Sequence, residues 1–402
     1  MTTPHDGGWA AALRGQPLPA ALLDLDAVDR NLETLLAPVR RAGKTLRVAT
    51  KSLRCVELLK YIAKKGGPAV RGFMTYDAAE TVFLADRGLD DLLLAYPTAQ
   101  PCDADALAGL AARGTRVAVV VDDHAHLAAL DRAARQKNTA IDVVIEIDMA
   151  LRLAGGALHL GVLRSPVRTD DDVLRLAAAT RRLPGVRFAG LMGYEAQIAG
   201  LPDRDPARPA MAALQRALKA VSRRSVASRR ARIAQKLADH GLPPALFNGG
   251  GTGSVASTCL EPHITEVTAG SGFVTSHLFD RYDGLPLEPA LFFALQVVRR
   301  PGPGVVTCAG GGYVASGAAG PGKLPRPWWP RGLRLVDLEG AGEVQTPLLV
   351  PDGVFLQIGD PVLFRHAKAG ELAERFDRYL ALRAGEPAQP MATYRGEGRC
   401  FL

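Results

Sequence analysis

Short apolar runs alternate with amphipathic stretches along the first two thirds of the chain. Ala21–Leu25 reads as a strand, and Asp26 is placed to cap a helix running to Val39. After Gly43 the pattern repeats. Leu46–Thr50 is a strand followed by helical spacing from Cys55 to Lys65. Val70–Met74 is a strand, with Thr75 as the cap of a helix to Arg87. Leu92–Ala95 precedes a helix over Asp103–Arg113, and Arg116–Val121 precedes one over His124–Arg135. Ile141–Asp148 leads through a loop rich in Gly and Arg to a helix over Asp170–Arg182. Arg187–Met192 precedes a long basic helical stretch, Ala245–Phe247 a glycine-rich loop, and Ile264–Thr268 closes the series.

Counted from Leu46, these are eight strands, each but the last followed by helical pattern. That alternation predicts an α/β fold, a (β/α)8 TIM-like barrel over residues 26–275. An open doubly wound sheet holds eight strands too, but its nucleotide loop normally follows the first of them. Beyond residue 275 the period changes. Leu291–Val298, Val305–Cys308, Leu333–Leu338, Gly342–Leu349 and Pro361–Arg365 are short strands between Gly and Pro turns, a C-terminal all-β domain over residues 276–402. The early strand falls outside the count of eight and is assigned, with residues 1–25, to that second domain. Ala318–Pro330, proline-rich and carrying Trp328-Trp329, is expected to be a loop, and the segment from Arg383 onward irregular.

Composition narrows the function classes. The 402 residues are 48% hydrophobic, enough for a sizeable core. No apolar run approaches the roughly 20 residues of a membrane span. The first residues lack the charged start and apolar run of an export signal, so the expected location is cytoplasmic. Five widely spaced cysteines without a CxxC predict free thiols. The net charge of +8 is concentrated between Arg216 and Lys236, an amphipathic helical pair with a solvated basic face. Aromatic residues do not interleave with that charge, which argues against nucleic acid as a partner. A small-molecule substrate remains.

Candidate chemistry lies at the carboxyl ends of the barrel strands. Asn248-Gly249-Gly250-Gly251-Thr252-Gly253-Ser254 is either a plain glycine turn or a phosphate cradle with Thr252 and Ser254 as hydroxyl donors. Its place after the seventh strand, with Ser271 and Gly272 after the eighth, favours the cradle, because barrels recurrently bind phosphate there. Lys51 follows the first strand, across the mouth from the cradle. A lysine facing a phosphate-bearing cofactor points to a Schiff base and pyridoxal phosphate. Arg152, Tyr194 and Gln197 are candidates to hold the ring, though each alone is equally a structural polar residue. Tyr96 and Asp122-Asp123-His124 end the third and fourth strands.

These motifs together resemble a known family. Leu22-Leu23-Asp24-Leu25-Asp26 followed by Asn31, the lysine at position 51, Gly193-Tyr194-Glu195 and the Asn248–Gly253 run are similar to the D-threonine aldolase and D-serine dehydratase family, fold-type III pyridoxal enzymes built like alanine racemase. The resemblance spans roughly residues 18 to 375. It implies Lys51 as the lysine carrying pyridoxal 5'-phosphate, and Gly250, Gly251, Thr252 and Gly253 as the phosphate loop, with Ser271 and Gly272 adding to it. It also implies Arg152 and Tyr194 beside the ring, Tyr194 as partner of the pyridine nitrogen, and a homodimer. The implied activity is a lyase acting on β-hydroxy-D-amino acids. In an aldolase, His366 would take the β-hydroxyl proton as the Cα–Cβ bond breaks to give glycine and an aldehyde. In a dehydratase, Lys51 would take the Cα proton as the hydroxyl leaves. A racemase or a non-catalytic pyridoxal-binding regulatory protein are the further alternatives. The family places a metal-binding His-x-Asp or His-x-Cys late in the β domain. Here His366 is followed by Lys368, and a protonated ammonium is no ligand. Either the metal is absent or weakly held, or Glu371 supplies an oxygen; alternatively Lys368 replaces the metal's charge. Loss of a Lewis acid tilts the reading toward the aldolase.

Overall fold

The computed structural model describes residues 9, 12–153, 158–205, 208–384 and 386–401. The first residues, expected to carry no export signal, and part of the Gly- and Arg-rich loop after Asp148 lie outside them.

The chain opens with β1 (Ala20–Asp24). Asp24, rather than Asp26, caps the helix Leu25–Arg41, accepting from the Ala27 N–H at 2.8 Å. The cap must be extended and stand directly before the helix, and Asp26 already lies in the first turn, where it pairs with Arg383 instead. Six strands of the barrel then alternate with helices: β2 (Thr45–Ala49), β3 (Val70–Thr75), β4 (Leu92–Leu94), β5 (Val117–Val121), β6 (Ile141–Glu146) and, after a small antiparallel hairpin of β7 (Leu151–Leu153) and β8 (Leu158–Leu160), β9 (Val186–Gly193). The helix after β3 is capped by Asp77, whose carboxylate accepts from Ala79 and Glu80. Thr75, the expected cap, is the last strand residue and shares its hydroxyl with Thr81. The last two barrel strands are β10 (Leu246–Gly249) and β11 (Glu266–Ala269). The eight strands close into an all-parallel barrel in which β11 pairs with β2.

The strands show the period of two expected of a closed barrel. Val117, Val119 and Val121 of β5 pack outward under the helices, whereas Val120 joins Leu93, Val144 and Met192 in the interior. Polar groups occupy the rest of that interior. Arg47 of β2 reaches Glu266 of β11 and Asp91, each at 2.7 Å, and so ties the first strand to the last.

The basic stretch is one helix of 31 residues, Pro209–Asp239, and not a pair. Nor is its charge all solvated. Lys219 is buried, 2.6 Å from Asp203, and Arg230 is buried against Glu195 and Glu261. Charge spacing alone cannot distinguish an internal ion pair from a surface one, since the partners lie on other elements.

The remaining strands are β12 (Leu291–Gly302), β13 (Val305–Ala309), β14 (Arg326–Trp329), β15 (Arg334–Leu335), β16 (Gln345–Leu349), β17 (Pro361–Arg365), β18 (Arg378–Leu382) and β19 (Gln389–Ala392). They form one sheet with β1, which pairs antiparallel with β12 and parallel with β18. Two segments expected to be irregular contribute strands. β14 pairs with β17 through a bulge, a position where an edge strand tolerates proline. β19 pairs with β18, and the chain beyond it returns to the barrel. There Tyr394 donates to the buried Glu80 at 2.9 Å and Phe401 packs on Phe83. Asn31 clasps the link between the two parts, bonding the Glu288 N–H and the carbonyls of Glu288 and Phe273. None of the five cysteines forms a disulfide, and among the described residues no helix is long and apolar enough to cross a membrane.

Arg47→Ala leaves Glu266 buried at the barrel seam without its guanidinium. Denaturant unfolding is expected to show a loss of about 3–5 kcal/mol; a loss below about 1 kcal/mol would show that the seam does not need the pair.

Candidate active site

The loops at the carboxyl end of the barrel and two segments of the β part enclose a cavity of about 630 Å³. Lys51 lies in a single 3-10 turn, Thr50–Ser52, directly after β2. Its Nζ enters the cavity and stands 2.8 Å from the Tyr96 hydroxyl, beyond β4. The turn is held from the β part. Gly370 has φ +89°, and a Cβ on it would lie 1.9 Å from the Lys51 carbonyl oxygen, so this close approach requires glycine. Arg54 donates to the same carbonyl at 3.2 Å and pairs with Glu374, and the Tyr379 hydroxyl donates to the Leu53 carbonyl at 3.1 Å.

In the same cavity, the glycine loop is organised by Glu195. This fully buried carboxylate accepts from the Gly250 N–H (3.1 Å), Ser254 Oγ (2.7 Å), Thr258 Oγ1 (2.6 Å) and Arg230 Nη2 (2.5 Å). Burial works against its charge, but Arg230, the two hydroxyls and the N–H outweigh burial and hold the carboxyl below the usual carboxylate range. Ser254 is therefore a strut beneath the loop, not the free donor its sequence position suggests. Thr252 and Ser271 do face the cavity, their hydroxyls 3.2 Å apart, and Gly272 donates its N–H to Thr252 Oγ1 at 3.0 Å. The N–H groups of Thr252, Gly253 and Ser271 have no acceptor among the described residues. Unused N–H groups beside two hydroxyls form a cradle suited to an anion. Gly250 and Gly251 line the cavity, and a Cβ on Gly251 would meet the Tyr194 ring at 3.0 Å. Gly253 lies behind it, where a Cβ would strike the Ala199 carbonyl at 2.3 Å.

The side walls differ from the sequence expectation. Tyr194 lines the cavity, with burial pushing its phenol up to about 12. Arg152 and Gln197 do not line it. Arg152 sits on β7 and pairs with Asp148 at 2.8 Å, and Gln197 is buried with its amide on the Met149 carbonyl at 2.7 Å. Arg164 lines the cavity instead, its guanidinium 5.9 Å from the Tyr96 ring centre and 5.8 Å from that of Tyr194. The β7–β8 hairpin intervenes between Asp148 and Arg164, and this separates the strand end from the arginine that serves it. Glu146, the last residue of β6, was also missed. It lines the cavity and is 7% exposed, and its carboxyl makes no hydrogen bond to another described residue. Burial pushes it up to about 7 against the pull of Arg164. Its place at a barrel strand's carboxyl end was the available signal.

His366 is likewise displaced from its expected role. Its ring is buried outside the cavity, Nδ1 lies 3.1 Å from the Leu291 carbonyl, and Nε2 has no partner among the described residues. Burial, reinforced by Arg365, pushes it down to about 3. Lys368 does line the cavity, 2.5 Å from Ser316 Oγ and 3.4 Å from Glu371.

A closed parallel barrel with a strand-end lysine facing an anion cradle, completed by a β part, defines a class that sequence comparison identifies. The profile of the alanine racemase N-terminal domain matches residues 23–274, and the chain belongs to that family. Within it, the chain is 29% identical over 316 residues to the D-threonine aldolase of an Arthrobacter species, covering 76% of each. It is 28% identical over 253 residues to the D-threo-3-hydroxyaspartate dehydratase of Delftia sp. (strain HT23), covering 63% of this chain and 60% of that one. Among solved structures it matches the D-threonine aldolase of Filomicrobium marinum with a TM-score of 0.79 at 25% identity, covering 94% of this chain and 95% of that one.

The His366 ring is expected to remain neutral at pH 5, read from its ring nitrogen shifts; a charged ring there would contradict its burial. His277, pushed down to about 4, behaves alike. Because the unfolded chain protonates both rings near 6.5 and the folded chain does so only near 4 (His277) and 3 (His366), stability is full above pH 6.5 and falls as pH drops from there toward about 3.

Proposed function

We propose that this protein is a pyridoxal-phosphate-dependent lyase that cleaves β-hydroxy-D-amino acids to glycine and an aldehyde. The observation that carries the reading is the Lys51 ammonium in one cavity with the unused donors of Thr252 and Ser271. These residues fit the cofactor: an amine for its carbonyl carbon and, separately, an anion cradle for its phosphate. When bound, pyridoxal phosphate supplies an electron sink for the pair left on Cα when a bond there breaks.

The chain's own residues hold and orient. Thr252, Ser271 and the loop N–H groups take the phosphate, with Gly250, Gly251 and Gly272 allowing the backbone to come close. Tyr194 and Arg164 flank the ring position, and Tyr194, kept protonated by burial, offers a neutral contact that moderates the sink. Tyr96 accepts a hydrogen bond from Lys51 Nζ through its hydroxyl oxygen and orients the amine. Glu146, titrating about neutrality in a largely buried setting, is positioned to hold a proton at the cavity wall, a role expected of His366 from sequence.

The second reading is a dehydratase, favoured by the Delftia relative's activity. Expulsion of a β-hydroxyl is assisted by a strong Lewis acid. The Lys368 segment offers an ammonium where a ligand would stand, and this favours carbon–carbon cleavage.

Adding pyridoxal phosphate to the purified protein is expected to produce the visible absorbance band of a lysine-bound pyridoxal. Lys51→Ala should abolish the band and lower kcat by roughly 10³-fold or more. D-threonine should yield glycine and acetaldehyde. Release of 2-oxobutanoate alone would establish the dehydratase, and absence of any band would sink the pyridoxal reading.

A further inference from the structure

The family resemblance implies a divalent ion near the substrate's β-oxygen, and the residues of this chain do not fit one. His366 turns Nδ1 to the Leu291 carbonyl outside the cavity. Two residues on, Lys368 presents a cation. Among the described residues no three His, Cys, Asp or Glu side chains come together in a group able to hold a metal. The segment is nevertheless built and placed with care. Gly370 abuts the Lys51 carbonyl, so the loop carrying Lys368 rests on the turn that carries Lys51. Glu371 accepts from the Ser316 N–H at 3.0 Å and pairs with Lys368, and Lys368 donates to Ser316 Oγ. An ammonium has three donors. Two are taken by Ser316 and Glu371, and the third is left for the cavity that Lys368 lines.

We propose that Lys368 takes over the positional work of the ion, donating a hydrogen bond to the β-oxygen of the bound amino acid, so that the enzyme works without a divalent metal. This rests on the reading of the site as a β-hydroxy-amino-acid lyase. Glu371 and Ser316 are the positioning residues: they fix a flexible side chain that otherwise extends into solvent. A single positive charge stabilises the oxygen as it becomes a carbonyl but is a poor substitute for a Lewis acid in expelling hydroxide. The same substitution therefore accounts for both the missing ligand set and the preferred bond.

Two measurements on the cofactor-loaded full chain test this. Manganese titrated into the wild-type protein by calorimetry is expected to give no binding, and a chelator to change D-threonine cleavage by less than about twofold. Stoichiometric manganese binding, or cleavage lost on chelation and restored by manganese, overturns the proposal. The second compares D-threonine with D-2-aminobutyrate, which lacks only the β-hydroxyl, read by the change each causes in the cofactor's absorbance. Lys368→Met is expected to weaken D-threonine by about tenfold to a hundredfold and aminobutyrate by less than about twofold, with Lys368→Arg recovering part of the loss. An equal effect on both ligands, or none on either, also overturns it. Failure of the underlying function is distinct: it shows as no cofactor band in the wild-type protein, and the proposal falls with it. A normal band with both amino acids binding isolates the failure to Lys368.

Discussion

The buried ion pair of Arg230 and Glu195 is the constraint on which the rest of the site depends. Each group is 1% exposed, and a charge so placed is tolerated only when its partners are complete. They are. Arg230 also bonds Glu261 and the Gly193 carbonyl, and Glu195 takes four donors. The pair joins the long helix Pro209–Asp239 to the end of β9 and, through Gly250, Ser254 and Thr258, to the loop after β10. Glycine makes that loop able to approach a ligand closely, but also costs conformational entropy to fix. Glu195 supplies the fixing, and the N–H groups of the cavity-lining Thr252 and Ser271 are left without an acceptor among the described residues.

The Lys51 turn is fixed from outside the barrel. Lys51 stands on a one-turn 3-10 helix with little structure of its own, and its backbone is held by Gly370, Arg54 with Glu374, and Tyr379. All three supports draw on the sheet or its connecting segments. The β part therefore does more than roof the cavity: it sets the height and direction of the lysine. Such rigidity is what a site needs when an amine and a phosphate cradle must address one molecule at a fixed separation.

Much of this was legible in the sequence, for identifiable reasons. Barrel strands buried on both faces leave short apolar runs with strict spacing, and their count alone located the glycine loop after the seventh and Lys51 after the first. Residues that act through backbone position, such as Gly250 and Thr252, inherit their place from that count. Residues that act through side-chain direction do not. Arg152 and Arg164 are indistinguishable until the β7–β8 hairpin is seen to turn the first away and bring the second between Tyr96 and Tyr194. His366 is adjacent to the cavity-lining Ala367 and Lys368, yet its own ring is turned away into a buried setting. Lys219 and Arg230 read as surface charges because their partners, Asp203 and Glu195, lie on other segments. β14 and β19 are set by pairing with β17 and β18, and no local pattern announces them.

In the proposed enzyme, one pyridoxal cofactor is held by both Lys51 and the glycine cradle. Two lysines line the cavity: Lys51, bonded to Tyr96, and Lys368, bonded to Ser316. Borohydride reduction of the cofactor-loaded protein, followed by peptide mapping, tests this most directly. A pyridoxyl group is expected on the peptide containing Lys51 and on no other. A label on the Lys368 peptide, or none at all, would contradict it.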